Sequence, residues 1–219
     1  MDVKANLTDR LAFERELWAQ NLTHIAGVDE AGRGPLAGPV VVAAVIFPVS
    51  WMQTGIDERL QALNDSKQLT ERQREEFFTI LTTHPEIRYA IARVDADVID
   101  RINILQATHR AMNDALAQLT PSPQHALVDG LRVKTLRWPQ TPLVKGDARS
   151  YSIAAASVLA KVTRDWVMLE FDRQFPHYGF AKHKGYGTPA HLAAIAAHGP
   201  CTIHRKSFAP MKTKPRELF

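Results

Sequence analysis

One cysteine, Cys201, stands in 219 residues. No internal disulfide can form, and zinc sites of the usual Cys/His kind are excluded. Cys201 itself reads as a small buried hydrophobe. Long apolar runs are missing too. The longest, "VVVAAVIF" at residues 40–47, is far too short to span a bilayer. The first residues, "MDVKANLTDRLAFERELW", contain acids and lack the apolar stretch of a signal peptide. These absences predict a soluble cytoplasmic protein, neither secreted nor embedded in a membrane. Internal repeats and low-complexity segments are absent. So are the phosphate-cradling G-x-x-x-x-G-K-[ST] loop, the G-x-S-x-G elbow and the H-E-x-x-H zinc motif.

What is present is ordinary in amount and uneven in placement. Hydrophobic residues make up 45% and charged residues 23%, enough for a core at this length. The net charge is +4. Residues 182–219 hold seven Lys and Arg against Glu217 alone, a net +6, which leaves −2 for the other 181 residues. A basic C-terminal section beside a slightly acidic body suits a phosphate-rich partner, or is a solvated tail.

Patterning predicts an α/β chain. Residues 9–20 form a short leading helix. "THIAGVD" and "PVVVAAVIF" are strands joined by a Gly/Pro loop. Thr70 with Gln73 is a capping box that opens a helix. Residues 87–94 are a strand, and 102–119 an amphipathic helix. "HALVD" and "TPLVKGD" are short strands that stop at acids. A helix over 150–174 has a first half, "SIAAASVLA", that is small and apolar all round and therefore buried. Thr188-Pro189 opens a last helix that Gly199 ends. From about residue 176 the chain reads as a basic helical appendage. The whole of 1–219 is expected to be one domain.

Acids fall at three strand ends: Asp29-Glu30, Asp129 and Asp147. Alone, Asp129 before a glycine is a turn former and Asp147 a helix cap. Together they would repel unless cations lay among them, and oxygen-only donors point to Mg²⁺ or Mn²⁺. Neighbours on a strand face opposite ways. Asp29 and Glu30 can share one centre only if the strand breaks there, as "EAGRG" suggests. Otherwise Glu30 contributes from one side, through its backbone carbonyl. "GRGPLA" formally fits a dinucleotide fingerprint, but Pro35, Pro39 and a following strand argue against it. His183 and His204 lie in the basic section, within reach of phosphate or purely structural. "HKGYGT" sets Tyr186 between two glycines, where it serves as a platform for a base or sugar or packs over its own loop.

In order along the chain, "IAGVDEAGRGPLAGPVVVAAV", "NDSKQLT", "INILQATHRAM", "LVDG", "KGDARSYSIAAASVLAKVTRD" and "YGFAKHKGYGTPAHLAAIAAHGPCTIHRKSF" resemble bacterial ribonuclease HII. The likeness runs from about 25 to 210; residues 1–22 are an extension outside it, as are 211–219. It implies a ribonuclease H-like fold, a five-stranded mixed sheet flanked by helices with a C-terminal helical extension. It also implies cleavage of RNA in RNA–DNA hybrids and incision 5′ of single ribonucleotides in duplex DNA, with a 3′-hydroxyl and a 5′-phosphate left behind. The family's four metal-binding acids map onto Asp29, Glu30, Asp129 and Asp147, for two-metal hydrolysis with Asp29 bridging. Its Gly-Arg-Gly element maps onto Gly32, Arg33 and Gly34, near a ribose 2′-hydroxyl. Its tyrosine maps onto Tyr186, against the adjoining deoxyribose. Lys67, Lys145, Lys182, Lys184 and Arg205 are expected phosphate contacts. Nothing demands more than a monomer, and "KPRELF" shows no clear sliding-clamp motif. A hybrid-binding module without activity is the alternative, as is a relative that cuts only long hybrids.

Overall fold

In the computed structural model, which describes residues 9–211, helix α1 (Ala12–Trp18) leads into strand β1 (Ile25–Ala31) and strand β2 (Val40–Ile46). A short helix α2 (Trp51–Thr54) and helix α3 (Glu71–Thr83) follow, then β3 (Arg88–Val94), α4 (Ala96–Gln118), β4 (His125–Asp129) and β5 (Gln140–Leu143). Helix α5 (Tyr151–Gln174) is the longest, and α6 (Phe180–His183) and α7 (Pro189–His198) close the described chain. The sheet runs β3-β2-β1-β4-β5. β1, β2 and β3 pair antiparallel, whereas β4 lies parallel to both β1 and β5. The five-stranded mixed sheet is the one expected.

β2 sits between two helix layers, and every residue in it is buried. Its alternation assigns the faces. Val41, Ala43 and Val45 pack with Ile153, Ala156 and Leu159 of α5, while Val40, Val42 and Ala44 pack with Ala107, Ala111 and Leu116 of α4. A strand covered on both faces reads as a continuous apolar run because neither set of side chains meets water. Each fully buried Val or Ile contributes roughly 1.5–3 kcal/mol. The "SIAAASVLA" half of α5 is buried as expected. Its small side chains let it lie close to β1, where Gly27 offers no Cβ. No helix among the described residues is long and apolar enough to cross a membrane.

Three expectations need correction. β1 does not break at Asp29-Glu30; it continues to Ala31, paired with Val41. Pairing with β2 holds both acids in extended backbone. The run at 141–147 ends as a strand at Leu143, and Asp147 sits in a separate 3-10 turn, Gly146–Ala148. The helix expected over 102–119 begins earlier, at Ala96, and kinks at Asn103 (φ 67°, ψ 164°). There the Asn103 side chain accepts from the Gln106 amide at 3.1 Å, which caps the second half. The capping box at Thr70 and Gln73 is present.

The C-terminal section is stitched to the loop between β1 and β2. Leu36 N–H donates to the Gly185 carbonyl at 2.8 Å, Gly38 N–H to Ile203 at 2.9 Å, and Arg205 N–H to Leu36 at 2.8 Å. A small core of Ala37, Met168, Tyr178 and Phe180 seals this junction. Lys212, Lys214, Arg216 and "KPRELF" lie outside the described residues.

Candidate active site

The parallel register of β1 and β4 sets Val28 opposite Val128. Asp29 and Asp129 are therefore next in line on neighbouring strands, which run about 4.8 Å apart. Both stand where the strands point at the same end of the sheet, a favoured place for a site. Burial first, then the charges of Glu30 and Asp129, push the Asp29 carboxyl well above the usual carboxylate range. Asp129 is held in turn by the Gly146 amide, which donates to its Oδ1 at 2.6 Å.

Because β1 stays extended, Asp29 and Glu30 diverge. Asp29 falls on the face of Ile25 and Gly27, toward α5, and lines a cavity of about 350 Å³ with Ser66, Lys67 and Ser157. Glu30 falls on the face of Ala26 and Val28, toward α4. It borders both that cavity and a second one, of about 580 Å³, which it shares with Asp129 and His109. The Arg33 guanidinium reaches Glu30 at 3.3 Å. Burial raises the Glu30 carboxyl, and Arg33 only partly offsets it.

Asp147 reaches the group from the turn ahead of α5. Burial, and after it Asp129 and Asp65, raise its carboxyl. Its backbone is fixed by a residue of the N-terminal extension: Arg10 Nη2 donates to the Asp147 carbonyl at 2.6 Å. Glu14, fully buried, accepts from the hydroxyls of Ser150 and Ser152 at 2.6 Å each and so pins the start of α5. Sequence reasoning missed both residues. The signal was faint, since an acid and an arginine on a short leading helix look solvated. Lys67 faces the acids. Burial works to lower its ammonium pKa, yet the fields of Asp65, Asp29, Asp147 and Asp129 leave it raised.

The Gly32-Arg33-Gly34 loop is held from behind by two buried arginines. Arg205 donates to the carbonyls of Gly32 at 2.6 Å, Arg33 at 3.0 Å and Gly38 at 3.0 Å. Arg164 donates to the carbonyls of Pro39 at 3.1 Å, Ala37 at 3.2 Å and Lys184 at 3.0 Å. The carbonyls of Gly32 and Arg33 are thus turned toward Arg205, and all three loop residues line the 350 Å³ cavity. Gly32 has φ 97°, and a Cβ there would lie 2.1 Å from Arg164 Nε, so no other residue fits. Tyr186 lines the same cavity. Its Cε1 would be 3.8 Å from a Cβ at Gly34, which is van der Waals contact.

Arg205 is thus not a phosphate contact. It is fully buried, and its donors are spent on loop carbonyls. Burial and then the charge of Arg164 lower its pKa to about 9, so it stays protonated at neutral pH. His204 is buried as well and cannot reach phosphate. The Lys184 ammonium is occupied by the Ala181 carbonyl at 2.7 Å. Lys145 and Lys182 are exposed, the former in a left-handed conformation (φ 56°) just ahead of the Asp147 turn. Arg164 was overlooked, although it lies four residues after Ala160 on the apolar face of α5, the spacing of a core position. Cys201 is half-buried, 3.1 Å from His204 Nδ1.

Among the described residues, no three His, Cys, Asp or Glu side chains are grouped closely enough to hold an ion as they stand. The donor set nevertheless suits hard divalent cations. It is all oxygen, and Asp29, Glu30 and Asp147 each have a raised carboxyl to which the charge of Asp129 contributes, a repulsion that a cation would remove.

The ribonuclease HII family model matches residues 26–211. A ribonuclease HII of Ruminiclostridium cellulolyticum is 50% identical over 202 residues, 92% of this chain and 76% of that protein. The crystal structure of ribonuclease H2 from Pyrococcus horikoshii OT3 is similar with a TM-score of 0.70 and 28% identity, covering 85% of this chain and 94% of that one. Bst-RNase HIII, in a crystal structure with Mn²⁺, shares the fold at a TM-score of 0.64 and 20% identity, over 90% of this chain and 71% of that one. With a matched span that reaches from β1 through the residues that brace the glycine loop, the chain belongs to the ribonuclease HII family.

Proposed function

We propose that Asp29, Glu30, Asp129 and Asp147 are the centre at which this chain carries out its family's reaction. That reaction is hydrolysis of RNA in RNA–DNA hybrids and incision 5′ of ribonucleotides embedded in duplex DNA. The four carboxylates would hold Mg²⁺ or Mn²⁺. Bound there, such ions supply Lewis-acid stabilisation of the phosphorane-like charge and a more acidic water. The protein supplies position and selection. Asp29 and Asp129, level on two parallel strands, fix one wall, and Glu30 meets them from the α4 side. Lys67 and Arg33 offset negative charge that a phosphodiester brings to the acids. Lys145 and Lys182, exposed and outside this group, would contact backbone phosphates.

One observation favours incision at single ribonucleotides over a plain hybrid cutter. Asp29, the Gly32–Gly34 loop and Tyr186 border one cavity of about 350 Å³. A ribose seated there has its 2′-hydroxyl against the loop amides, the group that separates RNA from DNA. Tyr186 then covers the next sugar. The test is a DNA duplex with one ribonucleotide, incubated with and without Mg²⁺ or Mn²⁺. A nick on the 5′ side of the ribonucleotide, only with metal, is expected. No metal-dependent nick overturns the reading.

A further inference from the structure

The C-terminal section holds five histidines that the reaction does not use, and three of them, His183, His191 and His204, cluster together. His191 and His204 are fully buried, and His183 stacks on His191 with ring centroids 4.4 Å apart. Their hydrogen bonds dictate their tautomers. Cys201 N–H donates to His204 Nδ1 at 2.9 Å, so that nitrogen carries a lone pair. The ring proton of His204 is then on Nε2, which is 3.0 Å from His191 Nε2. His191 Nε2 must accept, which places its own proton on Nδ1. That Nδ1–H donates to the Tyr186 carbonyl at 2.9 Å. Three bonds therefore run head to tail from a backbone amide to the backbone of Tyr186, and aligned bonds of this kind reinforce one another. A parallel link fixes the preceding residue: Gly185 N–H donates to His183 Nδ1 at 3.2 Å, and His183 Nε2 bonds the Tyr178 carbonyl at 2.7 Å.

Gly185 has no slack of its own. Its φ is 84°, and a Cβ would lie 2.5 Å from the Ala37 carbonyl oxygen. The Tyr186 loop is thus clamped on one side by the glycine loop and on the other by imidazoles. We propose that His191 and His204 are positioning residues, a two-ring relay that fixes the Tyr186 backbone and so sets the ring against Gly34. The proposal rests on the reading of Tyr186 as the group that covers the sugar beside the ribonucleotide. A ring displaced by a fraction of an ångström still packs, but it no longer meets the substrate where chemistry requires.

Amide isosteres separate the two ends of His191. Asparagine places an N–H near the position of Nδ1 and keeps the bond to the Tyr186 carbonyl. Glutamine reaches the position of Nε2 and keeps only the bond to His204. The readout is the ratio of single-ribonucleotide incision to uniform-hybrid cleavage. His191→Gln is expected to lower it about tenfold, and His191→Asn to restore most of it. On a Tyr186→Ala background, His191→Gln should change the ratio no further. Equal ratios for His191→Gln and His191→Asn, or full additivity with Tyr186→Ala, overturn the relay. Should Tyr186→Ala itself leave the ratio unchanged, the reading of Tyr186 fails. The relay is then decided by imidazole ¹⁵N spectra of the intact protein. Those are expected to show the Nδ1–H form for His191 and the Nε2–H form for His204, and the opposite assignment refutes it.

Discussion

Burial and the fields of Glu30 and Asp129 all act against ionisation of Asp29. A carboxylate kept in such a place destabilises the fold unless a cation joins it. Asp29→Asn removes the charge and keeps the shape. In metal-free buffer its melting temperature is expected to rise above that of the parent chain. The further rise on adding Mg²⁺ or Mn²⁺ should shrink, because bound ligand stabilises only in proportion to its affinity. Cleavage should fall by more than the roughly 10–100-fold that loss of a metal ligand's supporting partner costs, while hybrid binding in a gel-shift assay persists. Substantial retained turnover would refute the metal role. At the same scale Arg205 shows why charge alone misleads. A basic residue in a basic section suggests phosphate, but Arg205 spends its donors on three loop carbonyls, out of solvent.

Strand β1 and helix α5 form the contact on which the site depends. A Cβ at Gly27 would lie 2.2 Å from the Ser152 carbonyl carbon and 2.4 Å from Ile153 N. These are backbone atoms and cannot swing aside. Gly27→Ala must push α5 off the sheet, at roughly 1–3 kcal/mol or more, and urea denaturation should register it. A change below about 1 kcal/mol would contradict this close packing. Much at the level of elements was legible in the residues. The β-branched run of β2 announced a strand, the small apolar half of α5 a buried helix, and Thr70 with Gln73 a helix start. Asp29 and Asp129 could be picked out because Asp ended apolar runs. Most of what was not legible depended on partners distant in sequence. β1 runs on through Glu30 because β2 pairs with it. Asp147 left the strand for a turn whose backbone Arg10 holds, 137 residues away. The kink at Asn103 turned on one side chain capping its own helix.

Across the whole molecule, two sets of buried groups respond to acid with opposite sign. Asp29, Glu30, Asp147 and Glu14 have raised carboxyls. For them the folded chain binds a proton more readily than the unfolded one, so falling pH relieves them and stabilises. His204 is the reverse: burial and then His191 depress its pKa to about 4. The unfolded chain gains that proton near pH 6.5, whereas the folded chain resists until about 4. The relay's contribution is thus complete above about pH 6.5 and is lost as pH falls from there to about 4, at up to about 1.4 kcal/mol per pH unit. The groups packed around it are His191, His183, Cys201 and Tyr178. His204→Gln keeps an N–H for His191 and has no proton to gain. The difference between the unfolding free energies of the parent and His204→Gln, measured in metal-free urea titrations, cancels the carboxylates. That difference should be steady above pH 6.5 and decline, in the parent's disfavour, toward pH 4. A flat difference across the window would mean that His204 is already charged in the fold, and that the chain of bonds from Cys201 to Tyr186 does not exist as drawn.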